Sequence, residues 1–326
     1  MSAQDCETSS TDQRGAALLS ILVLVFLVAG SVTLHRLNSA NVEAEREMAT
    51  QTALKQAKEA LIAFAAISGN PGRLPCPEDT SLLGSPNEGS QLSSCTALPA
   101  IGRLPWRTLK LDQIVDGYGE PLWYALSPGF RSAPINTSTT GQLTIDAQPT
   151  GYAAIVFSAG QPLSIQLRSA VSASSPPLVS NYLDETNNNG DVFFASTSST
   201  INDRLLGISA AEITAPIVRR VLAEVRGADT DTPPSYGLRR YFNDNGSSFP
   251  FADTDNDGSG NAGATTGGLP YNDLAGVMEA TANGWITSNG WYNLITYKTT
   301  TSPVRATLTL GGYSLTVQPC TTQPCP

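Results

Sequence analysis

Hydrophobic and polar positions divide this chain into stretches with different periods. From Ala16 to Leu34 nineteen apolar or small residues follow one another without a charge, and His35-Arg36 ends the run. As a helix this run rises about 28 Å, enough to span a bilayer core. From Leu37 to about Ser68 neither Gly nor Pro occurs, and Leu54, Ala57, Leu61, Phe64 and Ala65 recur at three- and four-residue steps. That spacing predicts an amphipathic helix with one adhesive face. A second helix is predicted over Ala210–Arg226 from Ile213, Ile217, Val221, Leu222 and Val225, with Pro216 near its first turn, where a missing N–H costs little. Gly151–Phe157 reads as a buried strand, and Ala306–Val317 alternates as half-buried strands do. Ser172–Thr200, rich in Ser, Pro and Asn, reads as linker or surface loop.

Short motifs recur in the same order on either side of that loop. The first half runs from its helix to Gly72-Arg73-Leu74-Pro75-Cys76-Pro77, Leu104-Pro105-Trp106 and Asp116-Gly117-Tyr118-Gly119-Glu120-Pro121-Leu122-Trp123-Tyr124, then a strand. The second runs from its helix to Ser248-Phe249-Pro250-Phe251, Leu269-Pro270-Tyr271 and Asn289-Gly290-Trp291-Tyr292, then strands. Two similar units in tandem would produce this order. Chance recurrence within the common helix-then-hairpins order is the competing account.

Composition narrows the function classes. The net charge is −9 with no cluster of Lys or Arg, which disfavours nucleic acid as a partner. The single His, His35, lies beside the apolar run, so Ser-His-Asp, Cys-His and His-ligated metal designs are excluded from the rest of the chain. No pairing of acids stands out for hydrolysis, and no Gly-rich phosphate loop follows a strand. The chain reads as a non-enzyme. Of five cysteines, Cys6 precedes the apolar run and Cys76, Cys95, Cys320 and Cys325 follow it. Removal of the first would leave an even set, as expected in an oxidising compartment. Of the three pairings four cysteines allow, the local one is expected, Cys76–Cys95 with Cys320–Cys325, because each closes a Pro- and Ser/Thr-rich loop.

The residues before the apolar run are acidic at Asp5, Glu7 and Asp12, with Arg14 the one basic residue, and no small-x-small cleavage site follows. This is unlike a secretory signal peptide. Gln13-Arg14-Gly15 followed by Ala16-Ala-Leu-Leu-Ser-Ile-Leu-Val-Leu-Val-Phe resembles the N-terminus of type IV pilins and type II secretion pseudopilins. Asp116-Gly-Tyr-Gly119-Glu-Pro121-Leu-Trp-Tyr124 is similar to the Asp-x-Trp-Gly-x-Pro-x-x-Tyr turn of major pseudopilins. The spacing of Leu74-Pro-Cys-Pro77 and Leu104-Pro-Trp106 also resembles a group of bacterial prepilin-like proteins, over roughly residues 13–160.

The resemblance implies cleavage by prepilin peptidase between Gly15 and Ala16, and methylation of the Ala16 amine. It implies an α+β fold, a long N-terminal hydrophobic helix packed on an antiparallel sheet, and the repeated order of motifs adds a second pilin-like unit in tandem. The expected divisions are a leader (1–15), a transmembrane or filament-core helix (16–36), a first α+β domain (37–170), a linker (171–200) and a second α+β domain (201–326). The implied role is a minor pilin or pseudopilin in the bacterial inner membrane, its domains periplasmic, with other pilins as partners. Most of these proteins carry Glu at the fifth mature residue, where Ser20 stands here. An unpaired carboxylate in hydrocarbon is costly, so its loss suits a tip-proximal subunit with no upstream neighbour. A signal-anchored periplasmic binding or adhesion protein is the alternative.

One loop has the spacing of a cation ligand set. Asp253, Asp255 and Asp257, then Gly258 and Ser259, match positions 1, 3, 5, 6 and 7 of a calcium loop. Ala264 stands where the bidentate acid belongs, so a remote group such as Asp273 would have to complete the shell; a solvated Asp/Gly turn is the plain alternative. Calcium is the expected cofactor. Glu185-Thr-Asn187-Asn-Asn189-Gly190 repeats the rhythm with amides and promises weaker binding.

Overall fold

The computed structural model describes residues 41–132, 134–146, 148, 151–196, 201–323 and 325–326. A helix over residues 41–67 (α1) comes first. The elements that follow are β1 (Ala100–Arg103), β2 (Trp123–Leu126), β3 (Thr144–Ile145), β4 (Tyr152–Ser158), α2 (Glu185–Asn188), β5 (Phe193–Phe194) and β6 (Arg204–Ser209). The rest comprises α3 (Ala210–Arg226), α4 (Gly237–Asp244), β7 (Thr266–Gly268), α5 (Ala280–Ser288), β8 (Thr296–Thr301), β9 (Val304–Leu310) and β10 (Tyr313–Val317). Two four-stranded antiparallel sheets result, in the orders β1-β2-β4-β6 and β10-β9-β8-β7, while β3 and β5 pair in parallel.

The fold is therefore α+β with antiparallel sheets, and the expected long hydrophobic helix is corrected. Among the described residues no helix is long and apolar enough to cross a membrane. The helix that packs on the first sheet is α1, which is amphipathic. Leu54, Ala57, Leu61 and Ala65 are buried along one stripe, and Glu43, Glu45, Arg46 and Glu47 crowd its start. A stripe is all that one-sided packing needs, so charges are retained on the outer face. Residues 16–36, where the apolar run falls, and the Gly15–Ala16 junction lie outside the described residues.

Local chemistry sets how the helices meet the sheets. Asp116 clamps its turn with both oxygens: Oδ1 accepts the Tyr118 and Glu120 N–H, and Oδ2 accepts the Ser158 hydroxyl and the Gly160 N–H. α1 lies directly on this turn. Gly117 N–H donates to Thr50 Oγ1 at 3.0 Å, and a Cβ on Gly117 would stand 2.1 Å from the Arg46 carbonyl oxygen. α3 begins at a capping box between Ser209 and Glu212 and ends at Gly227 with φ 101°. It runs beside α1, joined by Lys58 to Glu212 at 2.6 Å and by Arg220 donating to the Ala66 carbonyl at 2.8 Å.

One core unites α1, α3 and a face of each sheet. The second sheet's outward residues, such as Thr296 and Lys298, face solvent. The first sheet is buried on both faces, which is why β2 and β4 are apolar without alternation. Its second face, Trp123, Ala125, Ile155 and Phe157, is covered by Leu143, Tyr182, Leu183 and Phe194. Residues 171–196, marked by the sequence as linker or surface loop, thus supply core side chains. β6, beyond them, completes the first sheet.

The chain leads into both sheets through one set of hydrogen bonds. Tyr124 donates its hydroxyl proton to the Pro75 carbonyl, and Tyr297 donates to that of Pro250. These tyrosines sit opposite Gly102 and Gly267 in their sheets. Three residues past each proline a buried acid, Glu78 or Asp253, donates its N–H to the carbonyl of Arg103 or Gly268. Its carboxylate accepts the N–H of a positive-φ glycine, Gly89 or Gly258. That glycine lies under the aromatic ring of Leu-Pro-Trp106 or Leu-Pro-Tyr271, where a Cβ would come within 2.2 or 2.4 Å of the ring.

Candidate metal centre

Asp253 is where the two sets diverge chemically. In the first, Glu78 is neutralised by Arg103 at 3.1 Å, both side chains being almost wholly buried. Burial lifts the Glu78 carboxyl above its usual value even though Arg103 and the Gly89 N–H pull the other way. In the second, Gly268 holds the place of Arg103, and among the described residues no guanidinium pairs with Asp253. Two further acids stand there instead. Carboxylate oxygens of Asp253, Asp255 and Asp257 lie within 4.8 Å of one another. Among the described residues none of the three makes an ion pair.

The loop is folded around Asp253. Its Oδ1 accepts the N–H of Asp255 at 3.2 Å and of Asn256 at 2.7 Å, and its Oδ2 accepts that of Gly258 at 2.8 Å. Burial alone would raise this carboxyl, but the N–H donors outweigh it and hold Asp253 below the usual aspartate range. Asp257 accepts the Ser259 N–H, and Asp255 accepts the Asn261 amide at 3.2 Å. Asn256 at φ 61° and Gly258 at φ 88° make the reversal that brings Asp257 back toward Asp253. A hard divalent cation takes oxygens at about 2.3–2.6 Å, so ligands on opposite sides of it stand about 5 Å apart. Three carboxylates this close suit such an ion, with Ser259 at the position that offers a backbone carbonyl.

The remote acid does not join them. Asp273 accepts the Gly260 N–H at 3.0 Å and lies outside the three-carboxylate group. The amide-rich look-alike is no loop at all: Glu185–Asn188 is the helical turn α2. Within it Asn187 is buried, its amide donating to Asp203 and Ala195 and accepting from the Ala195 N–H. The cysteines pair as Cys76–Cys95 and Cys320–Cys325, with Cα separations of 5.8 and 5.0 Å.

One ionisable group carried no sequence signal. Asp203 is fully buried and accepts N–H from Asp184 and Asn187 on Oδ2, while Oδ1 meets no partner among the described residues. Burial pushes its carboxyl up to about 7, against the pull of those donors and of Arg168, with the nearby Asp184 adding to the rise. In sequence it is one more Asx residue in a polar stretch; only the closure of the loop over β4 buries it. Comparison with protein-family models, with curated proteins and with solved structures finds no match for this chain.

Proposed function

We propose that this chain is a minor pilin or pseudopilin: a precursor cut after Gly15 and taken into a type IV pilus or type II secretion pseudopilus. The observation that carries the reading is the junction Arg14-Gly15-Ala16 placed directly before an uncharged apolar run. On this reading the run Ala16–Leu34 holds the subunit in the bacterial inner membrane, and the residues after it are periplasmic. Prepilin peptidase and neighbouring pilins are the partners, and Ser20 in place of the usual Glu puts the subunit near the filament tip. An amphipathic helix packed on an antiparallel sheet through the Asp116 turn agrees with it, as do two disulfides. Calcium at Asp253, Asp255 and Asp257 belongs to the same proposal, supplying the positive charge that Arg103 supplies to Glu78. The subunit performs no catalysis; its residues bind, position and stiffen.

The mature N-terminus tests the reading, measured by mass spectrometry in cells with and without prepilin peptidase. A chain that begins at a methylated Ala16 only when the peptidase is present is the expected result. Retention of Met1–Gly15 in both strains would overturn it in favour of a signal-anchored binding or adhesion protein.

A further inference from the structure

Just beyond β4 the chain wears its apolar side chains on the outside. Leu163–Gln166 is a tight turn closed twice: the Gln166 N–H donates to the Leu163 carbonyl at 2.9 Å, and the Leu163 N–H donates to Gln166 Oε1 at 3.1 Å. The polar residues of this segment point inward. Gln166 is buried and donates to the Tyr182 carbonyl at 3.0 Å. Arg168 donates to the carbonyls of Gly160 and Ala159 at 2.7 and 2.9 Å and pairs with Glu120 at 3.2 Å. The residues alternating with them are thereby turned out, Ile165 being 81% exposed and Leu167 75%. Turn tips ordinarily carry Gly, Asn, Asp or Ser, and neither Ile165 nor Leu167 gains much burial by folding.

This turn lies at the start of α1. Pro162, Leu163 and Ser164 share a cavity of about 420 Å³ with Glu43, Glu47 and Tyr118. Gly160 is held by Asp116, whose turn rests on α1. Val42, in the first turn of α1, is apolar and 39% exposed. Glu47 is met by Arg204 at 3.2 Å and Glu43 by Arg46 at 4.0 Å, which tempers the acidity of this end. A helix over residues 41–67 is about 40 Å long. Its other end adjoins the second sheet, where Asn289 donates to Asn70. From Leu34 to Asn41 the chain takes seven steps, no more than about 25 Å when fully extended. With the apolar run in the bilayer, the start of α1 is therefore the end tethered to the membrane surface.

We propose that Ile165 and Leu167 seat this turn in the headgroup–acyl boundary of the phospholipid bilayer that holds Ala16–Leu34. The subunit would then touch the inner membrane at two places before assembly. This inference rests on the membrane anchorage in the proposed function. The recognition is apolar: residues 161–167 contain no Lys or Arg, and the Arg168 side chain is buried against carbonyls and Glu120. Neutral lipid should therefore serve as well as anionic. The hydrogen bonds of the turn hold Ile165 outward before contact, so little ordering remains to be done at the membrane.

The test uses the full chain carrying Cys6→Ser, which removes the cysteine outside the two disulfides, reconstituted in phosphatidylcholine vesicles. A polarity-sensitive fluorophore is placed by Ile165→Cys, Leu167→Cys or, as control, Thr287→Cys. Thr287 is exposed and lies two residues before Asn289, at the far end of α1. All three chains should float with the vesicles. Interfacial side chains lie about 5–10 Å deep, so a phospholipid spin-labelled near its headgroup should quench the labels at 165 and 167 about twofold and spare that at 287. Melting temperatures should match the parent chain, and either turn position decides alone if the other variant fails to fold. Equal quenching at all three positions in chains that float overturns the inference and leaves the anchorage standing. Chains that do not float overturn both. A blue shift of the turn labels that lipid quenchers do not touch, and that grows with the number of chains per vesicle, would also overturn it, giving the turn to a second copy.

Discussion

A buried carboxylate must be neutralised, hydrogen-bonded or protonated, and single residues of this chain illustrate each course. Asp116 is satisfied by four donors, and Glu78 is paired with Arg103. Removing one partner of such a buried pair leaves the other charge uncompensated, typically at a cost of about 3–5 kcal/mol. Arg103→Ala should therefore destabilise by about that much, whereas the double variant Glu78→Gln with Arg103→Met should recover most of it. Urea denaturation of both variants checks this, and equal losses would show that packing rather than charge decides. Asp203 takes the third course and keeps its proton below about pH 7. An unfolded aspartate titrates at about 3.9, whereas folded Asp203 does so at about 7. Between these values the folded chain holds a proton that the unfolded chain has lost. Stability from this group is thus full below about pH 4 and falls as pH rises through 7. Asp203→Asn should be close to neutral at pH 4 and stabilising by about 2–4 kcal/mol at pH 8. Denaturation curves that differ from wild type by the same amount at both pH values would refute this.

Among the elements, the loop from Asp253 to Ser259 and the helix α1 show what a linear pattern can and cannot disclose. The Asp-x-Asp-x-Asp-Gly spacing was legible because its conformation is local: one positive-φ glycine and short-range Asx hydrogen bonds suffice to gather the acids. Asp273 stands apart from them for the opposite reason, since the position of a remote acid depends on tertiary placement. With only three carboxylates gathered, calcium affinity should be weak, about 10⁻⁴–10⁻³ M. At ten times that dissociation constant bound calcium adds about 1.4 kcal/mol, a rise of a few degrees in melting temperature. A chelator should reverse the rise, and the pair Asp255→Asn with Asp257→Asn should abolish it; a calcium response surviving in that variant would move the site elsewhere. The stripes of α1 and α3 were equally legible, since 3.6-residue periodicity survives in any context. The cover over Trp123 and Phe157 was not. Tyr182, Leu183 and Phe194 are scattered through Ser-, Pro- and Asn-rich sequence, and no period marks a segment that packs by isolated side chains.

At the scale of the whole molecule, the question is whether two sheets make two folding units or one. Each follows its own helix, and the same hydrogen bonds lead into both, so each has the look of an independent unit. The packing argues for one. α1, α3 and one face of each sheet share a single core. Polar ties cross the join as well, and Asn289 gathers most of them. Its Oδ1 accepts the Ile135 N–H at 2.7 Å, its amide donates to Asn70 at 2.8 Å, and its carbonyl accepts from Asn136 at 2.7 Å. Asn289 is fully buried, so Asn289→Ala strands the Ile135 N–H and the Asn70 oxygen. A buried group left unmet costs about 1–3 kcal/mol; Ile135 is fully buried and Asn70 half-buried, which predicts a loss of about 1–3 kcal/mol. If the core couples the sheets, that loss is global. Hydrogen exchange should then speed up by one common factor in the slowest amides of β2 and β4 and of β8 and β9. A loss confined to the second sheet, with β2 and β4 unchanged, would mean that Asn289 joins two units that unfold separately.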